Sequence, residues 1–150
     1  LSYCLGGVTR GLLVGLSVSV VIYFIVPIRV ENFLIILYFA FTSSLLLSNL
    51  GILCGIWAKK FDHMASITNF IILPLTFLSG TFYSINRLPE MWHFVANWNP
   101  FFYMIDGFRY GFIGHGDSNL IVGVLLLALI NIFFLLLTIY IFKKGYGLKT

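Results

Sequence analysis

A chain of 150 residues in which 60% are hydrophobic and only 9% charged falls outside the soluble globular class, where about a quarter of residues carry charge. Its mean hydropathy is +1.01, so a compact fold in water would lack a polar coat. The net charge of +4 does not indicate a nucleic-acid partner, because the basic residues are dispersed and form no stripe with interleaved aromatics.

The few charges sit at intervals and leave four uncharged stretches between them, at residues 11–28, 32–58, 64–86 and 118–142. Each reaches the threshold of about 18 residues for a spanning helix. In hydrocarbon every backbone N–H and C=O must be paired internally, so each stretch is expected to be helical. The expected fold class is all-α: a polytopic membrane bundle of four transmembrane helices, with a short outer helical hairpin that is re-entrant or interfacial. Residues 1–150 form a single transmembrane domain in this reading. Arg10, Lys59, Lys60, Lys143, Lys144 and Lys149 then share one side, while Arg29, Arg87 and Arg109 share the other. The positive-inside rule puts the larger set, and with it both termini, in the cytoplasm.

In chain order, residues 1–10 read as a short cytoplasmic lead-in. The first span carries Gly7, Gly11, Gly15 and Ser19 at four-residue spacing, which predicts a helix-packing seam of small residues. Pro27 closes that span, and a tight outer turn leads to the second, which carries Ser44, Ser48, Gly51 and Gly55 near one face. The inner loop that follows holds Trp57 at the interface and His63 as a solvated residue. Pro74 stands inside the third span, where it removes one backbone hydrogen bond and predicts a kink.

The stretch from Ser84 to Asp117 is too aromatic for an exposed loop, yet its helical pieces are too short to cross a bilayer. Pro89 suits a first helical turn, after which Met91, Trp92, Val95 and Trp98 share a face. Asn99-Pro100 breaks the chain, because a residue before proline is pushed from helical angles. A second helix is expected over roughly residues 100–113, with Phe101, Ile105, Phe108 and Phe112 on its apolar side and Asp106 and Arg109 as a local ion pair. A hairpin at the outer interface satisfies both constraints; an aromatic belt around ordinary loop ends is the alternative. The fourth span ends in Phe142-Lys143-Lys144-Gly145.

Signs of catalysis are weak. The sequence has no Gly-rich loop ending in Lys-Ser/Thr, no Gly-x-Ser-x-Gly elbow and no His-Glu-x-x-His helix. Cys4 and Cys54 suggest neither a disulfide framework nor a metal site, no signal peptide is visible, and no cofactor is expected. His115 and Asp117 read as solvated turn residues. None of the four uncharged stretches contains Asp, Glu, Lys, Arg or His, groups that ion-coupled transporters keep within the membrane. Energy would then come from another subunit.

The run Asn69-Phe70-Ile71-Ile72-Leu73-Pro74-Leu75-Thr76-Phe77-Leu78-Ser79-Gly80-Thr81-Phe82-Tyr83, with Leu88-Pro89-Glu90 and Asn99-Pro100-Phe101 after it, resembles the permease subunits of ABC type-2 exporters. Asp106, Gly107 and Arg109 fit that family's second hairpin helix, and the opening Gly6-Gly7-Val8-Thr9-Arg10-Gly11 looks like the start of its third span. Ser84 or Ile85 stands where the family often has proline. The resemblance implies the last four of six spans, with the first two and most of a cytoplasmic coupling helix lying before residue 1. It further implies a bacterial inner-membrane transport subunit rather than an enzyme. That subunit would pair as a permease homodimer, bind a separate cytoplasmic ATP-binding cassette subunit, and expel an amphipathic or lipid-linked substrate. Pro89, Asn99, Pro100, Asp106 and Arg109 would then belong to a gate at the outward end. The rival readings are a secondary transporter or flippase, and a lipid-modifying membrane enzyme restricted to His93, His115 and Asp117 for its chemistry.

Overall fold

The computed structural model describes residues 2–25, 30–58, 60–80, 94 and 97–144. Apolar sequence without backbone partners of its own must satisfy its peptide groups locally, and among these residues every regular element is a helix. The first helix, α1, is Ser2–Ile25; Pro27, expected to close this span, lies outside the described residues. The second, α2, is Phe33–Trp57. A continuous helical run follows, made of α3 (Phe61–Ile67), a π-helical segment (Thr68–Ile72) and α4 (Leu73–Phe77). Then come α5 (Pro100–Ile113) and α6 (Leu120–Lys144).

Helices α1, α2 and α6 have 24, 25 and 25 residues and are each long and apolar enough to cross a membrane. At 1.5 Å per residue they reach roughly 36 Å, against a hydrocarbon core of about 30 Å. The third expected span is the composite run. Its residues 78–80 form a turn, and the sequence beyond residue 80 assigned to that span lies outside the described residues. Residues 2–10, expected as a lead-in, are instead the first turns of α1, because Cys4 and Val8 bury themselves against α2.

The run is widened just before Pro74. Leu73 donates its backbone N–H to the Thr68 carbonyl, five residues back. A proline ring presses on the carbonyl four residues before it and leaves that carbonyl without a donor, and π-turns are one way in which a helix absorbs such an insertion.

Helix α2 is the hub, packing against α1, α3, α5 and α6, whereas α1 packs on α2 alone among the described elements. The buried positions of α2 are Phe39, Thr42, Leu46 and Asn49, spaced three, four and three as in a coiled-coil seam. Their counterparts on α6 are Gly123, Leu127, Asn131 and Thr138. Leu46 and Leu127 are fully enclosed, and Asn131 Nδ2 donates to the Thr42 carbonyl at 3.1 Å and the Leu127 carbonyl at 2.9 Å. The Tyr38 hydroxyl donates to the Val124 carbonyl at 2.8 Å. Most of the remaining apolar surface is exposed, Phe24 at 82% being the extreme, as expected of helices whose solvent is lipid rather than water.

Close approach of α1 to α2 depends on two glycines. A Cβ on Gly7 would stand 2.1 Å from Ser48 Oγ, and one on Gly11 would stand 2.6 Å from Ser44 Oγ. Gly15 has nothing within 4 Å, and the Ser19 hydroxyl donates to the carbonyl of Gly15 on its own helix. The seam is therefore shorter than four-residue spacing predicts, because the helices diverge beyond Gly11. Gly51 and Gly55 likewise meet no neighbour, leaving Ser44 and Ser48 as the α2 half of the contact.

Candidate functional site

Helix α5 begins where Asn99-Pro100 dictates. The Asn99 side chain caps it, its Oδ1 accepting from Phe101 N at 3.0 Å, while Pro100 takes the first-turn position that needs no donor. The same amide turns its Nδ2 to the Leu75 carbonyl of α4 at 2.7 Å. One side chain, 2% exposed, thus starts α5 and ties it to the composite span. Gly114, at a φ of 80°, ends the helix, with its N–H on the Tyr110 carbonyl at 2.8 Å.

The buried face of α5 differs from the expected apolar stripe. Phe101 is buried, but Ile105, Phe108 and Phe112 are only half-buried; the enclosed positions include Phe102, Tyr103, Met104, Asp106, Gly107 and Gly111. Glycine decides this. A Cβ on Gly107 would overlap the Phe39 ring at 2.2 Å, and one on Gly111 would stand 2.4 Å from Ile36 Cγ1. The bare glycine face lets α2 come close enough for Asn32 N to donate to the Gly111 carbonyl at 3.0 Å. Tyr103 packs beside Gly123 and donates its hydroxyl to the Asn97 carbonyl at 3.1 Å, and burial raises this phenol above its ordinary pKa.

Asp106 is 2% exposed and is the centre of the site. Its Oδ1 accepts the backbone N–H of Asp117 at 2.8 Å, and its Oδ2 accepts the N–H of Ser118 at 2.8 Å and the Ser118 hydroxyl at 2.6 Å. A Cβ on Gly116 would come within 2.7 Å of Oδ2. The carboxylate therefore receives the segment that leads into α6, whose first turn is capped by Asn119 Oδ1 accepting from Ile121 N.

Arg109 spans three pieces of chain. Its guanidinium lies 3.6 Å from Asp106 Oδ1 and 3.4 Å from Asp117 Oδ2. Its other terminal nitrogen donates to the Gly80 carbonyl at 2.6 Å, where the composite span ends in a left-handed glycine with a φ of 75°. Asp106 and Arg109 thus join α5, the α5–α6 loop and the end of the third span at one point. Such charge-assisted contacts are stronger than neutral ones and directional.

The structure brings Asp106 and Arg109 together and places Asn99 and Pro100 apart from them, at the start of α5; Pro74 lies on the composite span, one residue before the Leu75 carbonyl that Asn99 holds. Pro89 and the rest of the expected first hairpin helix, apart from Phe94, Asn97 and Trp98, lie outside the described residues. Sequence reasoning missed Asp117, Ser118 and the Gly80 carbonyl. Asp117 is no solvated bystander, since its carboxylate meets Arg109. The legible signal was Gly116-Asp117-Ser118-Asn119 just ahead of an apolar helix, a run whose backbone donors need an acceptor. His115 is exposed, as expected, and the exposed His63 stands in the first turn of α3 with its ring 5.8 Å from that of Trp57. No group of three or more metal-ligating side chains occurs among the described residues.

Apolar helices of spanning length, packed through glycine contacts and knotted by a buried carboxylate at one end, define a polytopic helical membrane protein. The chain belongs to the ABC-2 type transporter family, whose model matches residues 1–113. It is similar to the inner membrane transport permease YadH of Escherichia coli K12, with 37% identity over 148 residues; the match covers 99% of this chain and 58% of that relative. The YadH proteins of Escherichia coli O157:H7 and Shigella flexneri match to the same extent. The chain therefore spans a little over half the length of these relatives. No solved structure matches it significantly.

Proposed function

We propose that this chain forms part of the substrate pathway of an ATP-driven exporter in a bacterial inner membrane, powered by a separate cytoplasmic ATP-binding cassette subunit. In this reading two permease copies pair, and an amphipathic or lipid-linked compound leaves the cell between them. The Lys143–Lys144 end of the bundle faces the cytoplasm, and the Asp106–Arg109 knot lies at the outward end. Membership of the ABC-2 family supports the transport role.

The observation that carries the mechanism is Arg109 bridging Gly80, Asp106 and Asp117. Helix α5 is too short to span, yet it is fastened at both ends to the composite span, through Asn99 to Leu75 and through Arg109 to Gly80. Movement of that span, whose π-segment and Pro74 make it the least regular of the long helical runs, would carry α5 with it. ATP binding on the partner subunit would shift the cytoplasmic ends, and α5 would open or seal the exit.

Vesicles containing the full-length permease and its ATPase test this reading. Arg109→Ala is expected to insert normally and to cut ATP-dependent efflux by about tenfold or more, while a variant of the ATPase phosphate-loop lysine abolishes efflux altogether. Efflux that persists without ATP would remove the exporter reading. Normal efflux in Arg109→Ala would remove the gate.

A further inference from the structure

At the end of the bundle opposite Asp106, α1, α2 and α6 line a half-open cavity of about 540 Å³ that no part of the proposed export mechanism uses. Its volume falls within the roughly 300–1,000 Å³ typical of small-molecule sites. Ile52, Leu135, Ile139 and Phe142 make its apolar wall. Asn49, Thr138 and Lys143 make its polar side.

Asn49 is fully buried, and although its Oδ1 accepts from the Cys4 thiol at 3.3 Å, its Nδ2 has no partner among the described residues. An amide donor without an acceptor is costly at membrane depth, and Asn49 is among the residues that line the cavity. The Thr138 hydroxyl donates to the Phe134 carbonyl on its own helix at 2.8 Å and makes no hydrogen bond with Asn49. The two lysines at the end of α6 are also unlike. Lys144 is held by Tyr140, with Nζ 3.1 Å from its hydroxyl and 5.3 Å from its ring centroid. Lys143 instead lines the cavity.

We propose that this cavity binds one anionic phospholipid from the leaflet that bathes the Lys143 end. Lysines at the end of a spanning helix reach the headgroup layer, so Lys143 meets the phosphate there. One turn or more deeper, Asn49 Nδ2 donates to an ester carbonyl, the kind of acceptor that lies just below a lipid phosphate. The acyl chain then runs along Ile52, Leu135 and Ile139. Basic pockets between membrane helices recognise anionic headgroups in this manner. The site rests only on the chain being membrane-embedded and stands apart from the export reading.

The test uses the full-length protein in nanodiscs made from equal parts of phosphatidylglycerol and phosphatidylcholine, with native mass spectrometry counting the lipid that survives release. The wild type is expected to retain one phosphatidylglycerol per chain in preference to phosphatidylcholine. Lys143→Gln should lower that retention about fivefold, the worth of one cation at an anionic surface, and Lys144→Gln should leave it unchanged. Ile139→Trp, which fills the cavity, should abolish it; circular dichroism checks that each variant is folded, and if Ile139→Trp is not, the two lysine variants decide. The proposal is overturned if the wild type retains both lipids equally or neither. It is also overturned if Lys143→Gln retains as much as the wild type, or if the two lysine variants lose lipid alike.

Discussion

Asp106 and Arg109 are three residues apart on one helix, and a pair so placed on an exposed surface contributes under about 1 kcal/mol. Asp106 is in a different situation, since it is 2% exposed and accepts three hydrogen bonds from Asp117 and Ser118. Replacing it with Ala strands two backbone donors and frees the start of α6, which should cost about 2–3 kcal/mol. Arg109→Ala leaves all three of those bonds in place, and because the guanidinium side chain is 27% exposed the loss should stay near about 1 kcal/mol. Thermal unfolding in detergent, followed by circular dichroism, should rank Asp106→Ala clearly below Arg109→Ala. The reverse order would mean that the Gly80 contact, and not the carboxylate, holds the site together.

Among elements, α1 hangs on a single neighbour, since it packs on α2 alone among those described, with only Cys4 and Val8 buried. Its hydroxyls turn inward to its own backbone: Thr9 to Leu5 and Gly6, Ser17 to Leu13, and Ser19 to Gly15. Two long hydrogen bonds cross to α2, from the Cys4 thiol to Asn49 Oδ1 and from the Ser48 hydroxyl to the Cys4 carbonyl, each at 3.3 Å, and the close approach itself rests on Gly7 and Gly11. Gly11→Leu should cost about 1–3 kcal/mol, because the new side chain meets Ser44 and the helices must part. Gly15→Leu, with open space at that position, should stay within about 0.5 kcal/mol of the wild type. Cysteine pairs across α1 and α2 would report the separation directly, and equal crosslinking in the two leucine variants would show that Gly11 sets no distance. Helix α5 obeys the same logic against α2, where Gly107 and Gly111 admit Phe39 and Ile36.

At the scale of the whole molecule, the helices place the Lys60, Lys143 and Lys144 end of the chain opposite the Asp106–Arg109 end. The basic excess predicts that the lysine end is cytoplasmic. In a background lacking Cys4 and Cys54, cysteines at Lys60 and Lys149 should resist a membrane-impermeant thiol reagent in intact cells, while one at His115 should react. Labelling at Lys60 from outside would invert the molecule and with it the proposed direction of transport.

Hydrocarbon offers a helix no competing backbone partner, so the presence of long apolar helices was determined by sequence alone. The same holds for the start of α5, where Asn99-Pro100 imposes a cap and a break, and for the pairing of Asp106 with Arg109, which follows from helical spacing. What sequence could not decide was which faces meet. Phe108 and Phe112 looked like the buried side of α5, yet the bare glycine side is buried, because close approach rewards the absence of a side chain more than the presence of an apolar one. Gly15 looked equivalent to Gly11, but whether two helices still touch four residues further on depends on their crossing, which no local pattern encodes. Gly80, Asp117 and Ser118 join Asp106 and Arg109 from 26 or more residues before and 11 or more residues after Asp106, and only the tertiary fold, by closing those separations, makes them one site.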